Sequence, residues 1–168
     1  MNCKTTKNYI KLTRPFQASF GLTLIELMTV VAIVGVIAMI AVPSYEKYRR
    51  DVNNQIAVGY LQTIRGSIER YFVETNRFPA GLADLGNLPN NGEDPWGNQF
   101  VYLNIANAGP GVMGQVRKDR KLNPINTEYD LYSMGEDGVT KKQISNKDSL
   151  DDVILARDGQ FIGLARDF

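Results

Sequence analysis

The sequence predicts an α+β fold in which one long N-terminal helix packs on a small antiparallel β-sheet. Three observations predict it. An apolar run extends from Leu22 to Val42, apolar side chains then recur every three or four residues up to Phe72, and two short β-prone runs follow a loop. With 168 residues and 43% hydrophobic content, the chain can build one modest domain with its own core.

Composition excludes several kinds of chemistry. The chain has no histidine, which excludes histidine-dependent triads and histidine-ligated metals. Its single cysteine, Cys3, lies in a polar stretch that offers neither a neighbouring base nor a folded pocket. The 19 Lys and Arg residues balance 18 Asp and Glu residues, so overall charge gives no reason to expect a nucleic acid partner.

The N-terminal part of the chain predicts a single membrane span. The run from Leu22 to Val42 has 21 residues, about 31 Å as a helix, which matches the hydrocarbon core of a bilayer. Residues 1–21 carry basic side chains and no acid, which favours a cytoplasmic N-terminus, although basic residues also follow the span. The VPSYEKYRRD sequence after the run lacks a signal-peptide cleavage site and is typical of a continuing helix.

Glu26 is the one ionisable residue inside this run. A carboxylate costs roughly 2.5 to 3.5 kcal/mol at the centre of a span and less near its edge, so it usually has a partner. No Lys or Arg within the span can be that partner, which favours a partner on another molecule. The alternative is a plain membrane anchor that tolerates the charge near the interface.

The stretch FGLTLIELMTVVAIVGVIAMIAVP resembles the class III signal and first helix of type IV pilins and of type II secretion pseudopilins. The resemblance implies that a prepilin peptidase cuts between Gly21 and Leu22 and that the new Leu22 amine is methylated. Glu26 would then pair with that amine on a neighbouring subunit. Leu22 departs from the phenylalanine more common in the family. Gly35 and Pro43 lie where helices of this family bend, and both residue types weaken a helix.

The rest of the chain is expected to form a pilin-like globular domain. The predicted organisation is a leader at 1–21, a transmembrane and polymerisation helix at 22–43, and a periplasmic domain at 44–168 that includes the upper half of the helix. Pro79 ends the helix, a loop occupies 80–98, and strands are predicted for QFVYLN at 99–104 and EYDLYS at 128–133. The amphipathic upper half has one apolar face, made of Ala57, Tyr60, Leu61, Ile64, Ile68, Tyr71 and Phe72.

DPWGN before a strand, followed by YDLYSMGEDG, is similar to the major pseudopilin (G-type) of type II secretion. The similarity is strong in the first helix and good at 94–104 and 129–138, while 105–127 and 139–168 fit loosely. It implies that a structural calcium ion holds the C-terminal loop. The alternative is that Trp96 in DPWGN is an ordinary core residue.

The implied calcium ligands are the side chains of Asp137, Asp151 and Asp152 and the backbone carbonyls of Met134 and Val139. Calcium takes six to eight oxygens, so a few carboxylates and turn carbonyls would suffice. The alternative is that these acids cap turns and face water. VTKKQISNK lengthens the loop relative to the family, which leaves the choice of Asp151 open against Asp148 or Asp158.

A basic run interrupted by Asp119 is expected to be a solvated loop; its members are Arg117, Lys118, Arg120 and Lys121. Contact with DNA or with an acidic neighbour in a fibre is the alternative, and the aromatic residues of a single-strand binding surface are missing.

The resemblance implies a structural function rather than an enzyme. We expect a subunit of the type II secretion pseudopilus in the bacterial inner membrane, with its globular domain in the periplasm. Its expected partners are further copies of itself, minor pseudopilins, the prepilin peptidase, and the inner-membrane assembly platform with its ATPase. The alternatives are a type IV pilus subunit, serving adhesion, twitching or DNA uptake, and a membrane-anchored enzyme or binding module.

Overall fold

The structure is a computed structural model that describes residues 21–107 and 109–168. The predicted leader, apart from Gly21, lies outside the described residues. The chain divides into two compact units, one ending at Pro43 and the other comprising Ser44–Phe168. Helix α1, Leu24–Thr75, contributes to both units.

In the first unit, α1 exposes every side chain that it carries. By length and composition, α1 is the one helix in the described part of the chain that is apolar enough to cross a membrane. The helix continues without interruption through Gly35 and Pro43. The predicted opening of the helix between these two residues stays a prediction.

In the second unit, one face of α1 is buried, as the sequence predicts, although Phe72 at the end of the predicted face is exposed. Ala57, Leu61, Ile64 and Ile68 are fully buried and are spaced by four, three and four residues. The helix ends at Thr75, where Asn76 adopts a left-handed conformation (φ 56°) and donates its N–H to the Phe72 carbonyl at 2.7 Å.

Four strands form an antiparallel sheet in the order β1-β2-β3-β4. The predicted strands are confirmed as β1, Val101–Asn104, and β2, Tyr129–Ser133. Strands β3, Val153–Ala156, and β4, Phe161–Leu164, were not predicted from the sequence. Short 3-10 helices lie at Leu82–Leu85, Pro89–Gly92, Pro110–Gly114, Lys147–Ser149 and Ala165–Asp167.

The sheet is buried on both faces, and β3 shows this best. Val153 and Leu155 belong to the cluster formed with the buried face of α1. Ile154 and Ala156 point to the other face of the sheet. There they join a second, smaller cluster with Ile125, Ile144 and Ala165. The loosely matching segments of the sequence therefore supply a core of their own.

We predict that Ile64→Ala lowers the free energy of unfolding by about 2 to 5 kcal/mol, because it leaves a cavity between α1 and the sheet. The measurement is denaturant unfolding of the full chain in detergent micelles, followed by the fluorescence of Trp96, the only tryptophan. Val73→Ala is the matched control, since Val73 lies on the same helix and is 83% exposed. Equal losses of unfolding free energy for the two variants would show that the buried face of α1 does not stabilise the core.

Candidate functional site

The first candidate site is the start of α1. Residues 21–23 precede the helix and are exposed. The Thr23 backbone N–H and hydroxyl both donate to Oε2 of Glu26, at 2.9 and 2.8 Å, and the Glu26 N–H donates back to the Thr23 hydroxyl at 3.3 Å. This is a capping box, in which the N-cap residue and the third helical residue satisfy each other's backbone donors.

The capping box gives Glu26 a partner within its own chain, which the sequence analysis missed. The signal was present, because Thr23, Leu24, Ile25 and Glu26 match the pattern of Ser or Thr followed three residues later by Glu or Gln. Both bonds use Oε2. A second bond from Glu26 to an amine on another subunit is therefore compatible with capping, and the predicted assembly role stays a prediction.

The second candidate site surrounds the loop after β2, and the DPWGN turn organises it. Asp94 is buried, and its Oδ1 accepts the backbone N–H groups of Trp96 and Asn98 at 3.0 and 2.8 Å. The Ser133 hydroxyl donates to Oδ2 at 2.6 Å, and the Asn98 amide donates to the Gly135 carbonyl at 3.1 Å. Hydrogen bonds thus join the DPWGN motif to the YDLYSMGEDG motif, the two motifs that carried the resemblance. Trp96 packs against the core cluster between α1 and the sheet, which is the alternative stated for this residue.

Two of the predicted calcium ligands cap turns in this loop. Oδ1 of Asp137 accepts the Val139 backbone N–H at 2.8 Å, and Oδ2 of Asp151 accepts the Asp137 N–H at 3.3 Å. Gly135 (φ 68°) permits this closure, because a Cβ there would lie 2.5 Å from Oδ2 of Asp151. The observed contacts of Asp137 and Asp151 are those of turn caps, which is the alternative stated for these acids.

Asp152, the third predicted carboxylate ligand, is paired with an arginine instead of capping a turn. Its side chain is fully buried, and Oδ2 accepts the Arg117 Nη2–H at 2.5 Å and the Thr140 hydroxyl at 2.6 Å. Oδ1 is also buried and has no hydrogen-bond partner in the described part of the chain. Arg117 itself is 2% exposed, so the expectation that it lies in a solvated loop is wrong. Arg120 and Lys121 of the same run are exposed.

These residues do not fit a calcium ion as one set. Asp152 already has a guanidinium on its carboxylate, which would repel a second cation, and a lone Oδ1 is far short of six to eight oxygens. Among residues 21–107 and 109–168, no three acidic or cysteine side chains come together where they could hold a metal ion. The calcium site stays a prediction.

Burial dominates the electrostatics of this region. It raises the pKa of Asp152 to about 6, against the opposing effects of the Arg117 guanidinium and the Thr140 hydroxyl. Burial also raises the pKa of Asp130, although the Arg117 backbone N–H and the Asn126 amide donate to its carboxylate and oppose the rise. Asp152 is paired with Arg117 in spite of this rise in its pKa.

Comparison with known proteins decides the family. The chain is 30% identical to the type II secretion system core protein G of Klebsiella pneumoniae over 142 residues, covering 73% of this chain and 89% of that protein. It belongs to the core protein G family. The core protein G of Escherichia coli (strain K12) is 29% identical, with 75% of this chain and 89% of that protein covered. The corresponding protein of Pectobacterium carotovorum subsp. carotovorum is also 29% identical, with 75% and 83% covered.

No protein-family model and no solved structure matches the chain. The resemblance to the G-type pseudopilin is nevertheless confirmed, because core protein G relatives from several bacteria agree. The long helix on a four-stranded antiparallel sheet is the pilin-like α+β fold predicted for a core protein G.

We predict that the unfolding free energy falls as the pH rises from 3.8 through about 6. Because burial raises the pKa of Asp152 and Asp130, these two carboxyl groups bind more protons in the folded chain than in the unfolded chain in this window. Urea midpoints of the full chain in detergent, measured across the window, check this. Asp152→Asn should flatten the profile. A midpoint that stays constant or rises with pH would contradict the assignment.

Proposed function

We propose that this chain is a structural subunit of a type II secretion pseudopilus, a filament that drives protein export across the outer membrane. Its membership of the core protein G family carries the proposal. The first unit supports it physically, because residues 24–42 expose an apolar surface that the described part of the chain does not cover. Such a surface requires lipid or other helices around it. Lipid would cover this surface while the subunit is stored in the bilayer, and the helices of other copies would cover it in the filament.

Processing is the first step of the proposal. A prepilin peptidase would cut between Gly21 and Leu22 and methylate the new Leu22 amine. The geometry supports this, because Gly21 and Leu22 lie before the helix in exposed backbone, with Leu22 80% exposed. A peptide bond inside the hydrogen-bonded ladder of α1 would be harder for a protease to reach.

Assembly is the second step. The Leu22 amine, a cation created by the cut, would bind Glu26 of the next subunit and fix the register of the helices where an unpaired charge is costly. Repetition of one such head-to-tail contact gives an open helical filament rather than a closed ring. The proposed partners are other copies, minor pseudopilins, and the inner-membrane platform with its ATPase. The globular unit would lie in the periplasm, with a mechanical rather than an enzymatic role.

We predict that the cut leaves a mature chain that begins at methylated Leu22. Mass spectrometry of the protein purified with and without co-expressed prepilin peptidase measures this directly. Gly21→Leu is expected to block the cut, while Gly66→Leu, at an exposed helical glycine with open space around it, serves as the control that is cut normally. An N-terminus at any other residue, or cleavage of both variants, would exclude this processing site.

We predict that Glu26→Ala still inserts into the membrane but assembles poorly. Because Glu26 also caps α1, two further variants separate its roles. Glu26→Gln retains an acceptor for the capping box and loses only the charge, whereas Thr23→Val removes the two hydroxyl bonds of the capping box and keeps the charge.

Filament yield by electron microscopy, with membrane content of the subunit as the reference, distinguishes these roles. The proposal expects a large loss of filaments for both Glu26 variants and a smaller loss for Thr23→Val. Native yield with Glu26→Gln would mean that capping, and not charge pairing, is the function of Glu26.

A further inference from the structure

The two segments that match the family loosely, 105–127 and 139–168, bind each other. The Lys118 N–H donates to the Lys142 carbonyl at 2.8 Å, and the Ile144 N–H donates to the Lys118 carbonyl at 2.9 Å. Ile144 then packs with Ile125 in the second core cluster. The residues that lengthen the C-terminal loop are therefore fixed to the strip of chain that contains Arg117.

The side chain of Arg117 enters the protein where these segments meet. Its guanidinium donates from Nη1 to the Thr140 hydroxyl and from Nη2 to Asp152, and it lies 4.2 Å from the centre of the Tyr132 ring. Ion pairing, hydrogen bonding and a cation–π contact thus converge on one buried charge. The backbone N–H of Arg117 is held as well, by Asp130 at 2.6 Å.

We propose that Arg117 takes the place that the family resemblance gives to calcium, as an internal cation that holds the C-terminal loop. A buried carboxylate needs hydrogen-bond donors or a positive partner, and the chain itself supplies Asp152 with both. Arg117 is suited to this position because the guanidinium stays charged when buried and binds several acceptors in fixed directions.

One inserted residue, Thr140, completes the staple, by which we mean Arg117, Thr140, Ser149 and Asp152. Thr140 accepts from Arg117 and donates to Asp152 at 2.6 Å. Ser149 is fully buried, and its hydroxyl accepts the Lys141 N–H at 2.8 Å and donates to the Lys141 carbonyl at 3.1 Å. The insertion thus supplies Thr140 to the ion pair, and Ser149 holds the backbone of the neighbouring Lys141. It follows that the globular unit should not depend on calcium.

The test is the thermal midpoint of the full chain in detergent micelles, followed by Trp96 fluorescence, with millimolar calcium or with a chelator. The proposal expects equal midpoints in the two conditions. Arg117→Met should lower the midpoint by about 10 °C, because Asp152 is left buried and unpaired. Arg120→Met is the matched control from the same basic run; its side chain is exposed, and its midpoint should change by about 2 °C or less.

The double variant Arg117→Met/Asp152→Asn keeps the proposal testable should the single variant fail to fold. It removes the unpaired charge, so it should melt above Arg117→Met. A midpoint of the unaltered chain that falls on chelation overturns the proposal. So does an Arg117→Met variant that melts like Arg120→Met.

Discussion

The globular unit depends on one packing interaction, between the buried face of α1 and the inner face of the sheet. Ala57, Leu61, Ile64 and Ile68 have no exposed surface, and the residues facing them come from all parts of the sheet. At about 1.5 to 3 kcal/mol for each large apolar side chain removed from water, this face is the main source of stability in the unit. The half of this helix that belongs to the first unit has no such partner among the described residues, and the apolar surface that it exposes suits the proposed contacts with lipid and with other copies.

Helix α1 covers one face of the sheet. The other face is covered by segments of the chain outside α1. The second cluster, around Ile154 and Ala156, is small, and a buried ion pair lies beside it. Burying the Arg117–Asp152 pair costs desolvation energy, which is why the pKa of Asp152 rises despite its partner. The pair adds little net stability compared with apolar packing. Its effect is to fix where the inserted loop lies, since loss of either partner leaves a charge that cannot reach water.

The features that could be predicted from the sequence are those with a local signal. The period of apolar residues gave the buried face of α1, and aromatic β-prone runs gave β1 and β2. Strand β3 was missed because VILA is short and buried on both faces, so it lacks the alternation of a half-buried strand. The Arg117–Asp152 contact joins residues 35 positions apart, and a charged run is normally solvated, so no local pattern indicates it. The capping box of Thr23 and Glu26 has a local signal, because the two residues match the sequence pattern of this motif.

The central claim is that this chain builds a filament for protein export. The most direct test is to delete its gene and follow the proteins that the cell normally exports. The account predicts that these proteins accumulate in the periplasm and that their release is restored by the unaltered chain but not by Glu26→Ala. Normal export in the deletion strain, together with loss of surface filaments or of twitching motility, would contradict the account and identify the chain as a subunit of a type IV pilus.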